Sequence, residues 1–239
     1  MMLRAPFKKT LVNNLFGIAI FYSFLVFLLI LVPLVLRLFP QLEQNIMMNG
    51  GFEMFSLIFI FVLALTTVKD NLYASMVFGR SRKTAVLSGV LSLVVCAAVL
   101  ALLDSVFNPL ASVISRGVTY WGLMFQIFQF PVTGSPFSYF GTYLIWRFFL
   151  YCAMAMFGYL LSSINYRLNK LGRWIFWVAF GLIAIILLPV SFESSSPFAF
   201  AIAGFIHFCL ASSVWGFCLS MLLFSVVASF GSWLLQRRA

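Results

Sequence analysis

Long apolar runs separated by short polar islands set the rhythm of this chain: residues 14–36, 52–68, 85–103, 139–164, 174–189 and 211–235. A hydrocarbon core about 30 Å thick needs about 20 predominantly apolar helical residues to cross it. The runs are continuous, whereas a membrane β-barrel would need alternating segments of about ten residues. The pattern predicts an all-α polytopic membrane protein, with six transmembrane helices in a single transmembrane domain over residues 1–239.

Two stretches depart from that rhythm. Before the first run, Leu3, Phe7, Leu11 and Leu15 recur every four residues while Arg4, Lys8 and Lys9 take other faces. This spacing predicts an N-terminal interfacial helix over residues 1–14, lying on one leaflet. It does not read as a cleaved signal peptide, because the next apolar run is long and no small-x-small site follows before Pro33. Near the other end, residues 198–235 carry no charge. As one helix they would measure about 57 Å, nearly twice the core thickness. An outer re-entrant segment over about 198–210, before the last span, resolves the excess, provided protein covers its irregular backbone. Residues 104–137 form the longest non-spanning stretch, punctuated by Pro109, Pro131 and Pro136, with Tyr120 and Trp121 suited to an interfacial aromatic belt.

Composition removes several function classes. With 64% hydrophobic and 8% charged residues, the chain has no room for a sizeable water-soluble domain. A net charge of +10 would point to nucleic acid in a soluble protein, but here the cations stand at the ends of apolar runs. There they act as orientation signals, so the surroundings are membrane lipids and no nucleic-acid partner is expected. Cytoplasmic termini place Arg4, Lys8, Lys9, Lys69, Arg80, Arg82, Lys83, Arg167, Lys170, Arg173, Arg237 and Arg238 inside, and only Arg37 and Arg116 outside. Cys96, Cys152, Cys209 and Cys218 fall in apolar stretches without CxxC spacing, and His207 is the single histidine, so neither a metal nor another cofactor is expected. No GxxxxGK[ST] loop is present. The five acids mostly flank spans, which leaves few parts for a proton or sodium relay. Not an enzyme by its own motifs, the chain would draw any driving energy from another chain.

One stretch breaks the apolar monotony with a purpose. Leu72, Tyr73, Met76 and Val77 paint one side of a short amphipathic helix over residues 69–78, lying along a surface. Gly79 is placed to stop that helix and Ser81 to cap the next. Arg80, Arg82 and Lys83 follow, the last two in the first turn of the next helix, where positive charge opposes the helix dipole. They answer either to membrane topology or to an acidic docking surface on another protein. A second anomaly is Arg147, inside the fourth span. A charge there needs a partner or a wet cavity. Asp104 and Glu53 are the nearest plausible acids for a structural pair; a cavity residue meeting a polar part of a cargo is the other possibility.

The run Phe78-Gly79-Arg80-Ser81-Arg82-Lys83-Thr84, with Gly89 following, resembles the G-x-[ST]-R-K loop of small bacterial ABC-2-type exporter permeases, common in Gram-positive bacteria. The layout is similar too, with an interfacial N-terminal helix, six spans and a re-entrant segment before the last. The chain departs from the family pattern at Ala85, Val86 and Leu87, where two aromatics are expected. The resemblance implies a permease subunit in the bacterial cytoplasmic membrane, paired with a second permease chain, identical or not. A separate ATP-binding cassette ATPase would dock on Leu72, Tyr73, Met76, Phe78, Gly79, Arg80, Ser81, Arg82 and Lys83, with residues 69–78 as the coupling helix. The cargo would be hydrophobic or amphipathic: a peptide, a drug or a lipid-linked molecule. A non-transporting membrane scaffold or immunity-type protein is the alternative.

Overall fold

In lipid the backbone must satisfy its own hydrogen bonds, so apolar sequence of this length resolves into helix. A computed structural model describes residues 4–38, 49–50, 53–79, 81–114, 121–122, 140–192 and 214–237. Its helices are α1 Arg4–Leu38, α2 Glu53–Val77, α3 Arg82–Ile114, α4 Phe140–Arg167, α5 Lys170–Phe192 and α6 Val214–Arg237. Five contain stretches long and apolar enough to cross a membrane: Phe7–Leu28, Glu53–Val77, Arg82–Phe107, Phe140–Arg167 and Val214–Gln236. Helix α5, whose side chains are described only as far as Leu182, is the sixth. A two-residue parallel pairing joins β1 Asn49–Gly50 to β2 Trp121–Gly122 in the register Asn49 with Trp121.

Helix α4 is the hub of the bundle. It packs on α2, α3 and α6, while α1 closes the other side against α2 and α3. Trp146, Tyr151, Met156 and Tyr159 along α4 are all fully buried; the last three meet Ile60, Leu93 and Leu100 of its neighbours in the apolar middle, while Trp146 stacks on Phe217 of α6. Small residues set how close α2 and α4 come. A Cβ on Gly158 would lie 2.7 Å from the Phe61 carbonyl oxygen, and Ser162 Oγ donates to the Leu65 carbonyl at 2.6 Å. Outward positions such as Phe16, Ile20 and Phe24 on α1, and Leu219, Leu223 and Val227 on α6, stay exposed, as a lipid-facing surface requires.

Several elements differ from the sequence pattern. No separate interfacial helix precedes the first span within the described residues: α1 is continuous from Arg4, because Thr10 and Asn14 are buried against α2 and hold the first turns in line with the bundle. Likewise, residues 69–77 are the last turns of α2, with no change of direction at Lys69. Leu72 is buried in the core there, apart from the exposed Tyr73 and Met76 with which its spacing grouped it. Asp104 lies inside α3, whose apolar stretch runs on to Phe107. The polar loop expected over 165–173 shrinks to Leu168 and Asn169 between α4 and α5. The expected re-entrant segment, with His207, lies outside the described residues.

Candidate functional site

The antiparallel order of α1 to α4 puts two polar layers at opposite ends of the bundle. One, the acid end, gathers the start of α2, the far part of α3 and the start of α4. The other, the turn end, holds the α2–α3 turn, the first turns of α1 and the last turns of α4 and α6.

At the acid end, Glu53 opens α2 and is fully buried. Arg147, seven residues into α4, reaches across to it: Nε donates to Glu53 Oε1 at 2.8 Å and Nη2 donates to the same oxygen. Nη1 donates to Ser105 Oγ of α3 at 3.0 Å, and the guanidinium stands 4.9 Å from the Tyr143 ring centroid. The structure thus brings Arg147 and Glu53 together and ties α2, α3 and α4 through one cation. Asp104, also fully buried, is held differently. Its Oδ1 accepts from the Tyr22 hydroxyl of α1 at 2.5 Å, and its Oδ2 accepts from the Tyr151 hydroxyl of α4. Tyr22 also reaches the Leu100 carbonyl at 3.4 Å. Ser56 of α2 is also fully buried, and its hydroxyl stands beside Tyr22 and Asp104.

At the turn end, Asn71 of α2 is the joint. Its Oδ1 accepts from Thr10 of α1 at 3.2 Å and from Ser88 of α3 at 2.8 Å, and its Nδ2 donates to the Ala85 carbonyl. Asn14 Nδ2 donates to Thr67 Oγ1 at 3.4 Å, and Gln236 Nε2 to Ser163 Oγ at 2.8 Å. Gly89 makes the crossing possible: a Cβ there would sit 2.5 Å from Asn71 Nδ2 and 2.8 Å from the Tyr159 hydroxyl.

Beyond that layer α2 turns into α3. Gly79 adopts a φ of +60°, which costs a glycine nothing, and its N–H donates to the Met76 carbonyl at 3.0 Å. Ser81 caps α3, with the Thr84 N–H donating to its Oγ at 3.4 Å. Tyr73, Met76, Val77 and Phe78 are all exposed at this tip, and so are Arg82 and Lys83. Lys9 Nζ lies 5.9 Å from the Tyr73 ring centroid. The side chain of Arg80 lies outside the described residues. Among the described residues every exposed cation, from Lys8, Lys9 and Lys69 to Arg167, Lys170 and Arg173, belongs to this end.

Sequence patterning left out Tyr22, Tyr151, Ser56 and Ser105 around the acids, and Thr10, Ser88 and Tyr159 around Asn71. Single hydroxyls inside apolar spans carry no spacing signature. Each lies on the buried face of its helix. Compared with protein-family models, curated proteins and solved structures, the chain has no match.

Proposed function

We propose that this chain is the membrane-spanning permease subunit of an ABC exporter in a bacterial cytoplasmic membrane, driven by an ATPase that docks on the α2–α3 hairpin. The observation carrying this reading is the tip of that hairpin. Helix α2 has 25 residues, hence a length of about 37 Å against a hydrocarbon core of about 30 Å, which leaves enough helix for its last turns to reach beyond the lipid. On them Tyr73, Met76 and Val77 are each more than 60% exposed, next to the cations Arg82 and Lys83. Apolar side chains exposed to water beside a cationic rim fit an acidic partner with an apolar pocket. The clustering of the described exposed cations at this end supports a cytoplasmic side by the positive-inside rule, where an ATPase would be found. The G-x-[ST]-R-K resemblance supplies the identity of the partner, and with it the half-transporter arrangement with a second permease chain and a hydrophobic or amphipathic cargo.

A non-transporting scaffold is the second reading. It is favoured by the acid end, where Arg147 and Glu53 bind each other inside the bundle, as a purely structural pair would. Co-purification separates the two. In membranes where thiol labelling at Ser81→Cys confirms insertion, Arg82→Glu with Lys83→Glu is expected to lose a co-purifying ATPase, and Tyr73→Asp to weaken its stimulated hydrolysis. Normal retention and hydrolysis in both variants would reduce the hairpin to a topology signal and leave the scaffold.

A further inference from the structure

Asp104 is the group whose charge fits its surroundings least. Its carboxyl is fully buried, and both oxygens accept from neutral phenols, Tyr22 and Tyr151. The nearby guanidinium of Arg147 directs Nε and Nη2 to Glu53 and Nη1 to Ser105, so none of these bonds reaches Asp104. An ionised carboxylate buried without a hydrogen-bonded cation is costly, and neutralisation by a proton removes that cost.

A proton on Asp104 turns one acceptor oxygen into a donor, and two groups must then find new partners. The new O–H needs an acceptor, and Ser56 Oγ is at hand, fully buried beside Asp104 and Tyr22. The Tyr22 hydroxyl, displaced from Oδ1, already has the Leu100 carbonyl at 3.4 Å. Tyr151 keeps its bond to Oδ2. A metal cation would compete with both phenols at once, whereas a proton displaces only one.

We propose that Asp104 is a proton-binding site, with Ser56 Oγ accepting from the protonated acid and the Leu100 carbonyl taking over Tyr22. The proton comes from the aqueous phase and returns to it, forming and breaking one O–H bond at Oδ1. The groups around the site are Tyr22 on α1, Glu53 and Ser56 on α2, and Arg147 and Tyr151 on α4. Helix α6, which also packs on α3, brings Phe217 and Cys218, and these lie against Tyr143 and Trp146. Binding would relax the tie between α1 and the α3 carboxyl while leaving the Arg147–Glu53 pair in place. The site does not depend on an ATPase docking at the other end.

Infrared difference spectra of the full chain in lipid nanodiscs, taken between pH values at which it stays folded, test this. A protonated-carboxyl carbonyl band is expected to titrate and to vanish in Asp104→Asn. Tyr22→Phe removes the donor to Oδ1, which favours the ionised form, so the midpoint should rise by about one pH unit. Tyr151→Phe removes a donor to the carboxylate, so the midpoint should rise by about as much. These upward shifts carry the test even if Asp104→Asn fails to fold. No titrating band, a band that persists in Asp104→Asn, or a midpoint that both other variants leave unmoved or lower would overturn the site. A midpoint that follows sodium concentration at fixed pH would replace the proton by a metal cation.

Discussion

At the acid end Arg147 bridges α4 to α2 and α3 with a charge; at the turn end Asn71 bridges α2 to α1 and α3 with a neutral amide. Both side chains are buried and each makes at least three hydrogen bonds. They differ in what failure costs. An amide that loses a bond in a membrane bundle finds another partner at small penalty, which keeps average interhelical bonds near 0.6 kcal/mol. A buried guanidinium that loses its carboxylate leaves a charge with nowhere to go. The Arg147–Glu53 joint is therefore built to hold one arrangement, and the turn end to tolerate adjustment. In the proposed permease that division puts the adjustable joint next to the ATPase and the fixed one far from it.

Arg147 gives the largest expected effect and the most direct way to break the comparison. Arg147→Met should destabilise the bundle by about 3–5 kcal/mol in detergent unfolding, because it removes the cation that Glu53 is paired with inside the bundle. Replacing both, as Glu53→Leu with Arg147→Met, should recover much of that loss. Asn71→Ala, by contrast, should cost about 1–2 kcal/mol, the sum of a few weak bonds. Equal costs for Arg147→Met and Asn71→Ala would erase the distinction between the two ends.

The glycines sharpen the comparison at a middle scale. At Gly158 a new Cβ meets the backbone carbonyl of Phe61, which cannot move without moving α2. Gly158→Ala should cost about 1–3 kcal/mol and separate α2 from α4. At Gly89 the obstacles are the tips of Asn71 and Tyr159, which can swing aside. Gly89→Ala should therefore cost less, and combining it with Asn71→Ala should cost less than the sum of the two, since the second change vacates the space. Additive costs for that pair would mean that Asn71 is as rigidly placed as Arg147.

How legible these features were in the sequence depended on their scale. The helices were readable because apolar runs of membrane length leave the backbone no other solution, and five of them meet the requirement for crossing. Gly79 and Ser81 were readable because stop and cap residues work locally. The joins were not. Residues 1–14 looked interfacial because their cations and leucines alternate on a helical period, yet Thr10 and Asn14 bind side chains on α2 more than fifty positions away. Arg147 announced itself as a charge in an apolar span, with Glu53 and Asp104 as candidate partners. Which acid it would bind, and that two phenols would claim the other, follow from the rotation of four helices about their axes. Periodicity alone does not fix that rotation.

The smallest expected effect has the opposite sign. Ser81 caps α3, so Arg82 and Lys83 occupy its first turn, both exposed and both opposing the helix dipole. Arg82→Glu with Lys83→Glu replaces unfavourable charges by favourable ones, and should stabilise the isolated bundle by about 0.3–1 kcal/mol at low ionic strength. Salt should remove the gain, because exposed charges are screened. Insertion should survive, since ten of the cations assigned to that side remain. A variant that is slightly more stable, correctly inserted and deprived of its partner would show that the cations are kept against the interest of the helix that carries them. A loss of stability that salt does not alter would instead place Arg82 and Lys83 among the groups holding the bundle together, and the turn end would no longer be its adjustable half.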